Sequence, residues 1–242
     1  PVEEGYPAYL ASRLAAVYER AGRVETHGAG SGSVTLIGAV SPPGGDFSEP
    51  VTSHTKEIIQ TFWALSKELA DARHYPSVDW VDSFSQDVPV AAGWWAQQIS
   101  GAWSKRRTEA LSLLARDAEL SRIVNLVGPE ALSPAQRWEL EGAALIKEAV
   151  LQQSALSEND AFCELPKQRA LVRAVLDIHD TALELGRQGV PASMIEGFDF
   201  GPLVRAKNEL EPGDAAGVEQ RTAAIIDFCH VLLNANEFIY VD

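Results

Sequence analysis

The stretch Val34-Thr35-Leu36-Ile37-Gly38-Ala39-Val40, followed at once by Ser41-Pro42-Pro43-Gly44-Gly45-Asp46-Phe47-Ser48-Glu49-Pro50, decides how this chain is read. The first seven residues are apolar or β-branched on both faces, the pattern of a strand buried between two layers. Prolines and glycines then stop the strand abruptly and build a rigid, chain-reversing loop that carries two acids and an exposed aromatic candidate, Phe47. In open α/β sheets, loops beyond the carboxyl ends of strands are where ligands and partners are met. From chemistry alone a functional loop and a plain structural turn are equally open.

Upstream, Tyr9, Leu10, Leu14, Val17 and Tyr18 recur at helical spacing and stop at Ala21-Gly22, a fitting helix C-terminus. Between that helix and the strand, His27-Gly28-Ala29-Gly30-Ser31-Gly32-Ser33 reads as too glycine-rich for regular structure. Downstream, Ile58, Ile59, Phe62, Trp63, Leu65 and Leu69 mark a helix from Thr55 to about Arg73. Helix, strand, loop and helix make part of an α/β layer.

After Trp80 the β signal fades. Helical stripes follow at Leu111-Leu114-Ala118, Leu140-Ala144-Ile146-Val150, Leu171-Val175-Ile178-Ala182-Leu185 and Val218-Thr222-Ile225-Ile226-Cys229-Leu232. Ser133-Pro134 marks one start, because Ser caps and Pro fits the first turn. All 6 tryptophans lie between Trp63 and Trp138, which puts bulky packing near the junction. The expected fold is α/β plus all-α, with an α/β piece over residues 1–85 and a helical domain over residues 86–242.

Composition narrows the function classes. The chain has 242 residues, 46% hydrophobic and 22% charged, with 20 Lys+Arg against 34 Asp+Glu for a net charge of −14. These values exclude a disordered chain, and no apolar run approaches the ~20 residues of a membrane helix. The acidic balance repels phosphate, so autonomous nucleic-acid binding is disfavoured and an anionic ligand needs a local positive site. Cys163 and Cys229 have no CxxC spacing and read as reduced thiols. The first residues lack a basic segment followed by an apolar one, and the reading is a cytoplasmic protein.

The chemical motifs are mostly negative. Gly28-x-Gly30-x-Gly32 follows a helix and precedes a strand, the reverse of the context in which backbone N–H groups cradle a phosphate. No lysine is preceded by glycine, so no G-x-x-x-x-G-K-[ST] loop occurs. The five histidines form no H-x-x-x-H pair, and Cys229-His230 reads as packing inside an apolar helix. Asp177-Ile178-His179-Asp180 reads as a solvated face rather than an acid/base cluster, since consecutive helix residues diverge. Neither a catalytic residue nor a metal ligand is expected.

Resemblance adds what these motifs do not. Glu3-Glu4-Gly5-Tyr6-Pro7-Ala8-Tyr9-Leu10, Tyr18-Glu19-Arg20-Ala21-Gly22-Arg23 and Gly38 through Thr52 closely resemble the catalytic A subunit of V-type and A-type rotary ATPases. The similarity continues through Phe62-Trp63-Ala64-Leu65, His74-Tyr75-Pro76, Asp79-Trp80, Ile123 to Gly128, Leu151-Gln152-Gln153 and Lys167-Gln168, and ends near residue 190. The Pro-Pro-Gly-Gly-Asp-Phe-Ser-Glu-Pro run and the Gln-Gln pair resemble the catalytic A subunit rather than its B-type or F-type relatives.

The resemblance implies that residues 1–85 are the C-terminal part of a RecA-like P-loop nucleotide domain and that residues 86–242 are the family's C-terminal helical bundle domain. It implies a C-terminal fragment of a subunit that couples ATP hydrolysis or synthesis to proton or sodium translocation. Such a fragment is expected to be inactive alone, because the phosphate loop is absent. The alternative is a truncated paralogue acting as a non-catalytic interaction or assembly protein.

ATP or ADP with Mg is implied for the intact protein and neither for the fragment. Implied partners are B subunits in an alternating ring, the central rotor stalk and a membrane ion-translocating sector, with no nucleic acid; the implied location is cytoplasmic and peripheral to the membrane. Adenine contacts carry over to Tyr75 and Leu156, with Gln152 and Gln153 nearby. Leu156 replaces the family's usual Phe, so that wall offers apolar contact without stacking. Gly45, Asp46, Phe47 and Ser48 match the region facing the rotor.

Overall fold

Apolar stripes and breakers sort the chain into two units, Pro1–Phe62 with Ser85–Asp87 and Trp63–Phe84 with Val88–Asp242. The computed structural model describes residues 5–28, 30–188, 190 and 198–239. In the first unit, α1 (Leu10–Tyr18) packs against α2 (Pro50–Ile58). Glu49 caps α2 by accepting from the amides of Val51 and Thr52, both at 3.0 Å, and Pro50 occupies the first turn. The Tyr18 ring lies so close to Gly38 that a Cβ there would fall 2.2 Å from its hydroxyl, so the backbone approach needs glycine.

Two expectations for this unit are overturned. The glycine-rich stretch is not irregular: β1 (Gly22–Thr26) and β2 (Gly30–Val34) pair antiparallel from Gly22 opposite Val34 to Thr26 opposite Gly30. Glycine removes side-chain packing but keeps the main-chain donors and acceptors that make a ladder. Conversely, the residues from Thr35 to Val40 form no strand, and Ile37 is 85% exposed. An apolar strand needs neighbours on both edges and both faces, and the described residues of this unit bury little beyond Pro50, Thr52 and Thr55.

The helix expected from Thr55 to Arg73 is also corrected. It stops at Ile58, where Ile59 turns extended; β3 (Thr61–Leu65) and the short α3 (Lys67–Asp71) follow. In β3 the burial alternates, with Phe62 and Ala64 turned inward and Trp63 and Leu65 outward. A dense apolar run fits periods of 3.6 and 2 alike, and here the aromatic and β-branched residues settle it as a strand. β3 pairs with β4 (Val78–Ser85) in a two-stranded sheet.

The second unit is helical: α4 (Val88–Gln98), α5 (Trp103–Val127), α6 (Pro134–Ile146), α7 (Glu158–Ala161), α8 (Leu165–Arg187), α9 (Gly201–Glu209) and α10 (Ala215–Ile239). Ser133 and Gln136 form a reciprocal capping box at the start of α6. Helix α8 is central because it is apolar on more than one side. Leu171, Ala174, Val175, Ile178, Ala182 and Leu185 are all buried, and α5, α6 and α10 pack around it. Leu113 and Leu114 of α5, Leu145 and Ile146 of α6, Leu203 of α9 and Ile225 of α10 complete the main core. Trp138, Ala182, Leu185, Val190 and Cys229 form a second cluster. Cys229 therefore packs, as its sequence context predicts, while the side chain of His230 lies outside the described residues.

The Asp177 to Asp180 segment is not a solvated face. Arg106 of α5 reaches Asp177 at 2.7 Å and Asp180 at 3.4 Å, tying α5 to α8. His179 turns toward α6, where its Nδ1 is buried without a partner and would lie 2.6 Å from a Cβ at Gly142. Burial pushes the His179 imidazole below its ordinary 6.5, against the opposing pull of Asp180 and Glu139. The unfolded chain therefore binds more protons below that value, and His179 subtracts stability as pH falls from 6.5 toward its folded value. Urea unfolding at about pH 7.5 and about pH 5 should show a smaller acid loss for His179→Gln than for the parent chain. Equal losses would remove His179 as the cause.

Candidate functional site

Asp46 organises the Pro42–Pro50 loop in the first unit. Its Oδ1 accepts from the Ser48 amide at 2.9 Å and the Ser48 hydroxyl at 2.7 Å, and these bonds hold its carboxyl below the usual range. Gly44 and Gly45 take φ of 66° and 76°, which the reversal requires. Gly45, Asp46 and Ser48 are exposed. Phe47, expected to be exposed, is half-buried, edge-on to Phe62 with ring centres 5.7 Å apart and with the Lys56 ammonium 5.7 Å above it.

A second group of predicted residues meets in the helical unit, where the chain from α3 to β4 passes the end of α6. The Tyr75–Pro76 bond is cis, and Arg73 lies in the left-handed region with φ 57°. His74 Nε2 donates to the Lys147 carbonyl at 3.2 Å, and its ring sits edge-on to Trp80 at 5.6 Å. The Tyr75 carbonyl accepts from the Gln153 amide at 2.7 Å, and Tyr75 is 53% exposed. Tyr75 and Gln153 are thus joined main chain to main chain.

Helix α6 reaches this place through a wider π-turn, Lys147–Leu151, which frees carbonyls that need donors. The Lys147 carbonyl also accepts from the Gln152 amide. The Lys147 ammonium pairs with Asp117 of α5 at 2.5 Å and lies 5.5 Å above the Trp80 ring. The buried Lys207 of α9 donates to the carbonyls of Glu148 and Gln152. Asp160, 2% exposed, accepts from the Ser154 amide at 2.6 Å. Gln152, Gln153 and Ser154 are therefore each anchored. Leu156 beyond them is 99% exposed.

Lys167 holds this arrangement from behind. Its side chain is fully buried, and Nζ donates to the carbonyls of Asn159 at 3.1 Å, Lys207 at 2.8 Å and Leu210 at 2.7 Å. Burial lowers the ammonium pKa of both Lys167 and Lys207, while Asp160 opposes the shift. Sequence reasoning gave Lys207, Asp160, Lys167 and His74 no role. A signal did exist: Lys167 falls on the buried stripe of Leu171 and Val175, and Lys207 falls four residues after buried Leu203. A lysine inside an apolar stripe is buried only with partners.

The family described as "ATP synthase alpha/beta family, nucleotide-binding domain" matches residues 1–85, and "C-terminal domain of V and A type ATP synthase" matches residues 92–194. The chain resembles the C-terminal portion of the V- and A-type ATP synthase alpha chain. It is 68% identical over 207 residues to the V-type ATP synthase alpha chain of Nitrosococcus oceani, spanning 86% of this chain and 35% of that one. It is 43% identical over 230 residues to the V-type ATP synthase alpha chain of Halothermothrix orenii, spanning 94% and 39%. The chain thus spans little more than a third of the length of these curated relatives and corresponds to their C-terminal portion. Among solved structures, it matches ATP synthase subunit NeqB from Nanoarcheaum equitans with a TM-score of 0.60 at 26% identity, covering 74% of this chain and 41% of that one. The α/β plus all-α reading and the resemblance to the catalytic chain of these enzymes are both supported. Among the described residues no helix is long and apolar enough to cross a membrane.

Lys167→Met keeps the aliphatic stem but strands three carbonyl acceptors, so it should lower the unfolding free energy by about 2–4 kcal/mol. Chemical denaturation of both chains reads this directly, and a loss below about 0.5 kcal/mol would show that the carbonyls find other donors.

Proposed function

We propose that this chain is the C-terminal portion of the catalytic A subunit of a V/A-type rotary ATPase or ATP synthase, and that it supplies the adenine-contacting face of the nucleotide site. The Gln153–Tyr75 main-chain bond carries this reading, because it sets a half-exposed aromatic ring beside the Gln152–Leu156 segment. In this reading Tyr75 offers its ring face to the base, Leu156 adds apolar contact, and the Gln152 and Gln153 backbone is held still beneath them. ATP or ADP with Mg is the substrate of the whole subunit. The sequence holds no phosphate loop, and among the described residues no His/Cys/Asp/Glu group is suited to a metal ion. Phosphate and Mg chemistry is therefore assigned to none of these residues.

Residues 1–85 act as part of the nucleotide domain and residues 86–242 as the helical domain. The partners are B subunits in an alternating ring, the central rotor stalk and a membrane ion-translocating sector, at which the protein works from the cytoplasmic side. Gly45, Asp46, Phe47 and Ser48 face the rotor. Asp46 suits that role because Ser48 holds it ionised on an exposed tip, where it attracts basic shaft residues.

Two measurements test this reading. The isolated chain should release phosphate from ATP no faster than buffer does, and activity that co-purifies with it through successive columns would refute the assignment. In the complete catalytic chain, Tyr75→Ala should weaken ATP binding by about tenfold, the scale of one base–aromatic contact. Unchanged affinity would move the base elsewhere.

A further inference from the structure

Helix α9 lies beyond residue 194, where the match to the V- and A-type C-terminal domain ends, yet it reaches the predicted base contact. Its register is fixed by Leu203 and Ala206, both fully buried in the main core. That register delivers Lys207, 5% exposed, to the end of the α6 π-turn, where its ammonium donates to the carbonyls of Glu148 and Gln152. A cation at a helix C-terminus is electrostatically favoured there. Two residues on, the Ser154 amide is held by the buried carboxylate of Asp160, and between them the Gln153 amide is held by Tyr75.

Three consecutive residues are thus tied to three different parts of the chain: Gln152 to α9, Gln153 to Tyr75 and Ser154 to α7. Two of the ties are made by charged groups withdrawn from water, an arrangement that costs free energy unless fully paired. A segment needing only solvent exposure would satisfy these groups with water. The immobilised segment instead ends in Leu156, which is 99% exposed. Immobilising a loop that presents an exposed apolar side chain lowers the ordering cost of a ligand that later covers it.

We infer that Lys207 and Asp160 are positioning residues for the base contact: they act through the Gln152 carbonyl and the Ser154 amide to hold the segment that joins Tyr75 at Gln153 and leads on to Leu156. This rests on the nucleotide reading above. Lys167 belongs to the same device one step back, because it grips the carbonyl of Lys207 itself and so fixes the helix from which Lys207 reaches. Neither group touches the ligand; each decides where the segment that does so sits.

The test uses the complete catalytic chain in its assembled ATPase, with Lys207→Met and Asp160→Asn made separately. Each should raise KM for ATP by about three- to tenfold while kcat stays within about twofold, because the segment contributes to base binding and not to the phosphoryl step. Inhibition by tripolyphosphate, which has no base, should be unchanged in both. A structural defect alone would lower the melting temperature without separating ATP from tripolyphosphate. Should Lys207→Met fail to assemble, Asp160→Asn decides. Tyr75→Ala and Leu156→Ala serve as references. If they raise KM and an assembled Lys207→Met or Asp160→Asn does not, the positioning role is wrong. If none of the four raises KM, the nucleotide reading itself fails.

Discussion

The Lys167 ammonium is the interaction on which the helical unit depends. A fully buried charge is tolerated only when each of its donors is satisfied, and Lys167 meets that condition with three main-chain carbonyls. Those carbonyls come from α7, from α9 and from the residue after α9, so the first turn of α8 gathers both short helices. Neither α7 nor α9 is long enough to be stable alone. Their positions follow from α8, which is held by core contacts on several sides. The π-turn of α6 is then closed by Lys207, whose own placement depends on Lys167. One buried cation therefore orders a chain of contacts that ends at Gln152.

Among its described residues, the first unit has no comparable centre. Most of its polar ties are local, such as Glu49 to its own helix start, Asp46 to Ser48, and Lys56 over Phe47 and Phe62, while Thr61 to Ser85 and the Gln86 amide to the Gln60 carbonyl span a longer stretch of chain. Its apolar residues Val24, Val34, Ile37 and Val40 stay exposed, and among the described residues nothing covers them. Local turn and cap chemistry shapes this unit well enough to give helices and a hairpin. Burial does not dominate it, so stability here rests on weaker terms than in the helical unit.

This contrast explains what could be read from sequence. Helices α6, α8 and α10 announce themselves, because their apolar stripes match a real packed face and Ser133-Pro134 marks a real cap. The strand expected at Val34–Val40 fails although its residues suit a strand, because a strand is completed by neighbours that sequence pattern does not supply. The hairpin at Gly22–Val34 was hidden for the opposite reason: glycine carries no side-chain signal but makes the same ladder bonds. At the candidate site, Tyr75 and Gln153 were legible only through resemblance to a family. Their bond joins a carbonyl to an amide, groups that nearly every residue has, so no residue type betrays it. Lys167 and Lys207 left a fainter trace as charges set on buried stripes.

The charge around this site also limits what it can bind. Among the described residues, the lysine ammonium groups near Gln152 are already engaged: Lys147 by Asp117, and Lys207 and Lys167 by carbonyls. In a chain of net charge −14, none of these groups is left to neutralise a phosphate. What the site offers outward is the Tyr75 ring and the Leu156 side chain, both suited to an uncharged, planar, partly apolar group. A nucleotide has one end of that kind. The acidic balance that argues against nucleic acid binding is therefore compatible with a nucleotide partner here, provided that this surface takes the base and that other groups meet the phosphates.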